Sequence, residues 1–232
     1  MPRPRRVTPG GYCYHVLNRG NARQRAFHKD GDFEAFLLLF AEAHERCPMR
    51  LLAYCLMPNH FHLVLWPHRD GDLSRWMQWL QTTHVRRYHE HYHTTGHVWQ
   101  GRFKAFPIQE DEHLLTVLRY VERNPFRAGL VPAVADWTWS SLRLQGQPVR
   151  PTWYSAGPVR RGKGWLDYVA EPQTDAELVA LRRSVQRGVP YGSERWQKKT
   201  ITALGLESTL RPRGRPRKDA GAKGENAAGL FD

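Results

Sequence analysis

The chain is poor in cysteine: Cys13, Cys47 and Cys55 are odd in number, unevenly spaced, and form no CxxC pair. That pattern excludes a disulfide framework and a cysteine zinc site, and fits a reducing cytoplasm. No apolar run approaches the ~20 residues of a membrane-spanning helix. The basic opening MPRPRRVTPGG is followed by no apolar core, so no secretory leader is expected. A GxxxxGK[ST] phosphate loop is missing too, which argues against a helicase-bearing replication initiator or relaxase. Acidic residues are scarce, 22 against 35 Lys and Arg, for a formal charge of +13. Such an excess suits a polyanion, either nucleic acid or an anionic membrane surface. What the chain does have is a core: 41% of its 232 residues are hydrophobic, with nine each of Trp, Tyr and Phe. That length accommodates one ordinary domain with an extension, and no internal repeat divides it.

Periodicity orders the elements. GGYCYHVLNRGN alternates and predicts a strand over 11–19. Asp30 or Asp32 caps a helix in which Phe33, Phe36, Leu37, Phe40 and Ala41 recur at helical spacing up to Cys47. MRLLAYCLMPNHFHLVLWP reads as two strands joined by a tight turn at Pro58-Asn59. Asp70-Gly71-Asp72 opens a second helix carrying Leu73, Trp76, Met77, Leu80 and Tyr88. HVWQGRFKAFPI reads as a fourth strand with a bulge at Gly101. A third helix begins at the acidic run Glu110-Asp111-Glu112 and stops or bends at Asn124-Pro125. The expected class is therefore α+β: a ferredoxin-like, split-βαβ antiparallel sheet with helices on one face and the other face left for a site. Three segments follow from the texture: a catalytic domain over 1–140, a helical extension over 141–210 with helices near 173–187 and 193–205, and a basic tail over 211–232.

The chemistry concentrates in two places. Period-two geometry puts His60, His62, Val64 and Trp66 on one strand face, so two imidazoles can converge on one metal ion. Alone, such an HxH pair reads as well as two half-buried histidines with hydrogen-bond partners. Tyr120 and Asn124 are four residues apart and share a helical stripe if the helix persists. They offer a nucleophilic oxygen and a neutral oxygen ligand; the plain alternative is a surface aromatic and a C-terminal cap before Pro125. A His-His-Asn set leaves sites open for water or phosphate oxygens and suits Mg²⁺ or Mn²⁺. His113, seven residues before Tyr120, is a geometric candidate for taking the phenol proton.

MPNHFHLVLWP followed about 55 residues later by LRYVERNPFRAGLV resembles the single-tyrosine HUH transposases, and within them most resembles the REP-associated tyrosine transposases. The resemblance covers about residues 8–145, including YHVLNRGN and WQGRFKAF, and ALGLESTLRPRGRPRK resembles an ending common in the family. It implies an HUH endonuclease core in which His60 and His62 bind the metal, Phe61 is the bulky middle residue, Tyr120 is the nucleophile and Asn124 a third ligand. It further implies cleavage of single-stranded DNA through a 5′-phosphotyrosine link, strand transfer without a nucleotide cofactor, and a REP-type hairpin as target.

For holding DNA the sequence offers Arg19, Arg23 and Arg25 beside the first strand, with Arg3, Arg5 and Arg6 ahead of it. Arg86 and Arg87 lie in the aromatic-interleaved HVRRYHEHYH and can follow a phosphate backbone while rings stack on bases. Arg213 and Arg215 form an AT-hook-like core able to enter a narrow minor groove. The expected protein is a cytoplasmic, nucleoid-associated monomer with DNA as its partner. Two rival classes stay open: a non-catalytic regulator that binds REP hairpins, and a metal-dependent nuclease in which Tyr120 is dispensable.

Overall fold

The structure is a computed structural model that describes residues 7–211. Four strands form one antiparallel sheet: β1 (Cys13–Arg19), β2 (Met49–Met57), β3 (His60–Pro67) and β4 (Lys104–Ile108). Their spatial order is β2-β3-β1-β4, which follows from two split β-α-β crossovers through α1 (Asp30–Arg46) and α2 (Asp72–Tyr92). The strands predicted around the Pro58-Asn59 turn form as read, paired from Met57–His60 outward. The fourth strand is shorter than expected. Residues 98–101 instead form a loop tied to the end of β1, and Gly101 takes a φ of 144 there.

Alternation along β3 divides its side chains between two cores. Phe61, Leu63 and Leu65 join Phe36, Phe40, Trp76 and Leu80 beneath α1 and α2. Asp32 fixes the start of α1, because its carboxylate accepts from the backbone N–H groups of His28 and Lys29 (2.6 and 3.2 Å). The second face is not left bare. Cys13, Cys55, Val64, Phe106 and Ile108 lie there under Val117, Leu118 and Val121 of α3 (Glu112–Glu122), and Trp165, Leu181 and Tyr191 complete the cover. The two crossover helices thus share one face as expected, while α3 and the extension roof the other, and the site lies under that roof.

Residues 141–210 form no core of their own. They contain α5 (Trp165–Ala170), α6 (Asp175–Arg187) and α7 (Glu194–Leu204); the last two lie where periodicity placed them, and α5 was not foreseen. The chain after α3 also closes both sheet edges. Along β2, Leu56 N–H donates to Trp139 O and Leu51 N–H to Trp153 O; along β4, Tyr191 N–H donates to Pro107 O (2.8, 3.3 and 2.9 Å). Covered edges cannot recruit a foreign strand. All three cysteines are unpaired. Among the described residues no helix is long and apolar enough to cross a membrane.

Gly20 ties this frame to its functional end. Its N–H donates to Asn59 O (2.8 Å), and a Cβ built on it would lie 2.1 Å from the Gln24 carbonyl oxygen. Backbone cannot yield as a side chain does, so Gly20→Ala should lower the unfolding free energy by about 1–3 kcal/mol. A urea denaturation midpoint equal to that of the unsubstituted chain would contradict this reading of the loop.

Candidate active site

His60 and His62 occupy the start of β3, immediately after the turn, and both side chains face α3. Their rings are 5.0 Å apart, and the Tyr120 ring stands edge-on to His62 at 5.8 Å. The sequence-predicted pair and the tyrosine, 58 residues apart in the chain, therefore meet.

Hydrogen bonds decide which ring nitrogens are available. His60 Nδ1 lies 2.6 Å from Asn59 Oδ1, and the Asn59 amide is oriented by its own Nδ2, which donates to Arg23 O (3.1 Å). A carbonyl oxygen only accepts, so His60 carries its proton on Nδ1 and turns a bare Nε2 lone pair outward. His62 Nδ1 pairs with His15 Nε2 at 2.9 Å. His15 is fully buried on β1, and its Nδ1 has no partner among the described residues. Neither Nε2 of the HxH pair is engaged by another described residue. This donor set fits a divalent ion: two imidazoles whose inner nitrogens are tied up and whose outer nitrogens are spare.

Asn124 lies in α4 (Asn124–Arg127), one turn past Tyr120. Pro125 does not throw it off the stripe, because Arg123 stays helical and the backbone bonds Arg123 N–H to Arg119 O and Arg127 N–H to Arg123 O persist (2.9 and 3.0 Å). Proline is tolerated here because it falls in the first turn of the new segment. The Asn124 side-chain carbonyl accepts from Arg127 Nη2 (2.8 Å) and keeps a second lone pair, while its buried Nδ2 has no partner among the described residues. The Arg127 guanidinium lies 4.9 Å from the centre of the Tyr120 ring.

Burial, with the charges of Arg19 and Arg127, pushes the His60 imidazole down to about 4. His62 is driven well below the ordinary value by burial first, then by His15, His60, Arg127 and Arg19. His15 falls to about 3 through burial alone. Neutral imidazole is the form that binds metal, so the surroundings keep the pair in it.

The arginines expected to hold DNA separate in the structure. Arg19 pairs across the sheet with His60, and Arg23 and Arg25 are exposed in the loop that follows. Arg86 and Arg87 point apart: Arg87 donates to Glu42 (2.7 Å) on α1, whereas Arg86 lines a different groove. Arg3, Arg5, Arg6, Arg213, Arg215 and the tail beyond 211 lie outside the described residues. His113 does not join Tyr120. It sits seven residues earlier, about 10 Å along the helix axis, bonded to Asp111 (2.7 Å) and facing Tyr191.

Sequence reasoning missed three members of the site. Asn59 was read only as a turn residue. His15 alternates onto the same sheet face as the HxH pair, a signal available once β1 is placed beside β3. Arg127 follows Tyr120 by seven and Asn124 by three, ordinary same-face helical spacing.

Residues 10–124 match the family model described as "Transposase IS200 like". A Haemophilus influenzae protein described as a REP-associated tyrosine transposase is 29% identical over 118 residues, 46% of this chain and 66% of that protein, so the match spans just under two thirds of the relative. The REP-associated tyrosine transposase of Escherichia coli K12 is 27% identical over 136 residues, 57% of this chain and 77% of its own length. The solved structure of a REP-associated tyrosine transposase bound to a REP hairpin is similar in fold, with a TM-score of 0.51 at 20% identity over 75% of this chain and 100% of that one.

The buried histidines make stability depend on pH. Unfolded, they take up protons below about pH 6.5; folded, His15 and His84, a buried residue of α2, do so only near about 3 and His60 near about 4. Folding stability should thus fall as pH drops from 6.5 toward 4, by about 1–2 kcal/mol for each fully buried ring at pH 5. Urea midpoints at pH 7.5 and pH 5 measure this, and equal midpoints would rule out neutral burial.

Proposed function

Because the chain belongs, through residues 10–124, to the IS200-like transposase family, we propose that it cuts and rejoins single-stranded DNA with Tyr120 as nucleophile. The observation that supports the reading is the meeting of the Tyr120 ring, edge-on, with His62 of the His60–His62 pair. A REP-type hairpin with a single-stranded foot is the proposed target, since such a hairpin is what the similarly folded transposase holds.

His60, His62 and the second lone pair of Asn124 would hold Mg²⁺ or Mn²⁺, which when bound would neutralise charge on the scissile phosphate and orient it. In the ligand-ready state His62 donates its Nδ1 proton to His15, leaving Nε2 bare beside that of His60. The Tyr120 oxygen attacks phosphorus in line, forming a Tyr–O–P bond as the P–O3′ bond breaks. The phenol proton leaves to solvent, and the departing 3′-oxygen takes up a proton to end as a hydroxyl. The link keeps the energy of the broken phosphodiester. A second 3′-hydroxyl can therefore reverse the attack, releasing tyrosine and joining new ends. Arg127, beside the phenol ring and bonded to Asn124, is placed to offset negative charge as the phosphate closes on Tyr120.

The test is cleavage of an end-labelled single-stranded hairpin with Mn²⁺ or Mg²⁺, resolved on denaturing gels with and without protease. The unsubstituted chain should give a protease-sensitive DNA adduct, and Tyr120→Phe should lose it together with at least about 10³-fold of the cutting rate. Cutting that survives Tyr120→Phe would make the protein a nuclease, and hairpin binding with no cutting would make it a regulator.

A further inference from the structure

A cleft of about 1060 Å³ runs between α2 and the loop at 96–103. Its helix wall is a stripe that includes Arg75, Gln78, Gln81 and Arg86, and its loop wall includes Trp99 and Arg102. Among the described residues no carboxylate lines it. Two buried groups in these walls have no hydrogen-bond partner among the described residues: the Gln81 amide nitrogen and the Trp99 indole nitrogen. Both are donors only, and a buried donor left unmade is costly. The cleft therefore asks for a ligand that is negative, rich in acceptors, and able to reach inward.

The cleft is also joined to the catalytic end. Trp99 bridges Gly20, Gln100 N–H donates to Arg19 O (2.8 Å), and Asn18 Nδ2 donates to Gly101 O (2.9 Å). Arg19 in turn stands opposite His60. The loop wall thus hangs from the end of β1, which pairs with the start of β3 where the histidine pair lies.

We propose that this cleft holds the single-stranded DNA segment flanking the bond attacked by Tyr120, an assignment that rests on the DNA-processing reading above. Arg86 lies along the phosphates, and Gln81 and Trp99 donate to acceptors on unpaired bases. Single strands fit the demand better than duplex, whose Watson–Crick acceptors are already engaged. Arg87, one residue on but paired with Glu42, takes no part.

Fluorescence anisotropy of a labelled mixed-sequence single-stranded oligonucleotide, titrated with the full chain at several salt concentrations, tests this. Arg86→Gln, at an exposed position, should reduce the log–log salt slope by about 0.7, the value for one single-strand phosphate. Gln81→Leu should raise Kd about fivefold, the loss of one hydrogen bond. Arg46→Gln removes an equal charge stacked on Trp79 elsewhere on the surface and should change neither. Unchanged binding by Arg86→Gln and Gln81→Leu, or an equal loss in Arg46→Gln, overturns the cleft assignment while leaving the catalytic reading standing. Failure of the unsubstituted chain to bind single strands would remove both.

Discussion

The hydrogen bond from His60 Nδ1 to Asn59 is the constraint on which the site depends. An imidazole offers a metal or a phosphate only the nitrogen it has not protonated, and its partner chooses which that is. Here Asn59 makes the choice, and Arg23 holds Asn59 in place through its carbonyl. Arg23 sits in a loop whose backbone takes left-handed values at Ala22 and Arg23 (φ 50 and 64). Neither residue is glycine, so the conformation is strained. It persists because Gly20 N–H and Asn59 O lock the loop against the β2–β3 turn. One short loop therefore fixes the turn, the amide and the tautomer of the first histidine.

Tyr120 is held from the opposite side. Arg119 of α3 is buried and makes a double hydrogen bond to Glu177 of α6 (both 2.8 Å). Glu122, also buried, accepts from Ser141 (2.6 Å) and from the Trp165 indole (2.7 Å). These residues flank Tyr120 by one and two positions, so the extension grips α3 on both sides of the tyrosine. A buried ion pair contributes little net stability but is costly to break, because the survivor is left charged and unpaired. Such contacts set the rotation of a helix more than they hold it down. The extension thereby also helps hold the Tyr120 ring edge-on to His62.

Much of this was legible in the sequence. Strand and helix periods gave the order β-α-β-β-α-β-α, because each element buries one face and alternates accordingly. Paired His60 and His62 and the Tyr120–Asn124 stripe follow from the same two periods. The family resemblance brought the two motifs together, which no local pattern could do. What stayed hidden is tertiary. His15 reaches His62 only through β1–β3 pairing. Part of the cover of the second sheet face comes from residues after α3, including Trp165 of the short α5, where no period announced an element. The fourth strand was overextended because Val98 and Trp99 have strand-like side chains, yet their backbone is committed to the end of β1 rather than to a ladder.

The proposed chemistry depends on the availability of both Nε2 lone pairs beside Tyr120, and the most direct measurement is the protonation site of each ring. Long-range ¹H–¹⁵N correlation spectra of the ¹⁵N-histidine-labelled chain at neutral pH, without metal, distinguish the two tautomers. The Nδ1–H form is expected for His60 and for His62. An Nε2–H tautomer on either ring would place a proton where the ligand lone pair is required, and would contradict that chemistry.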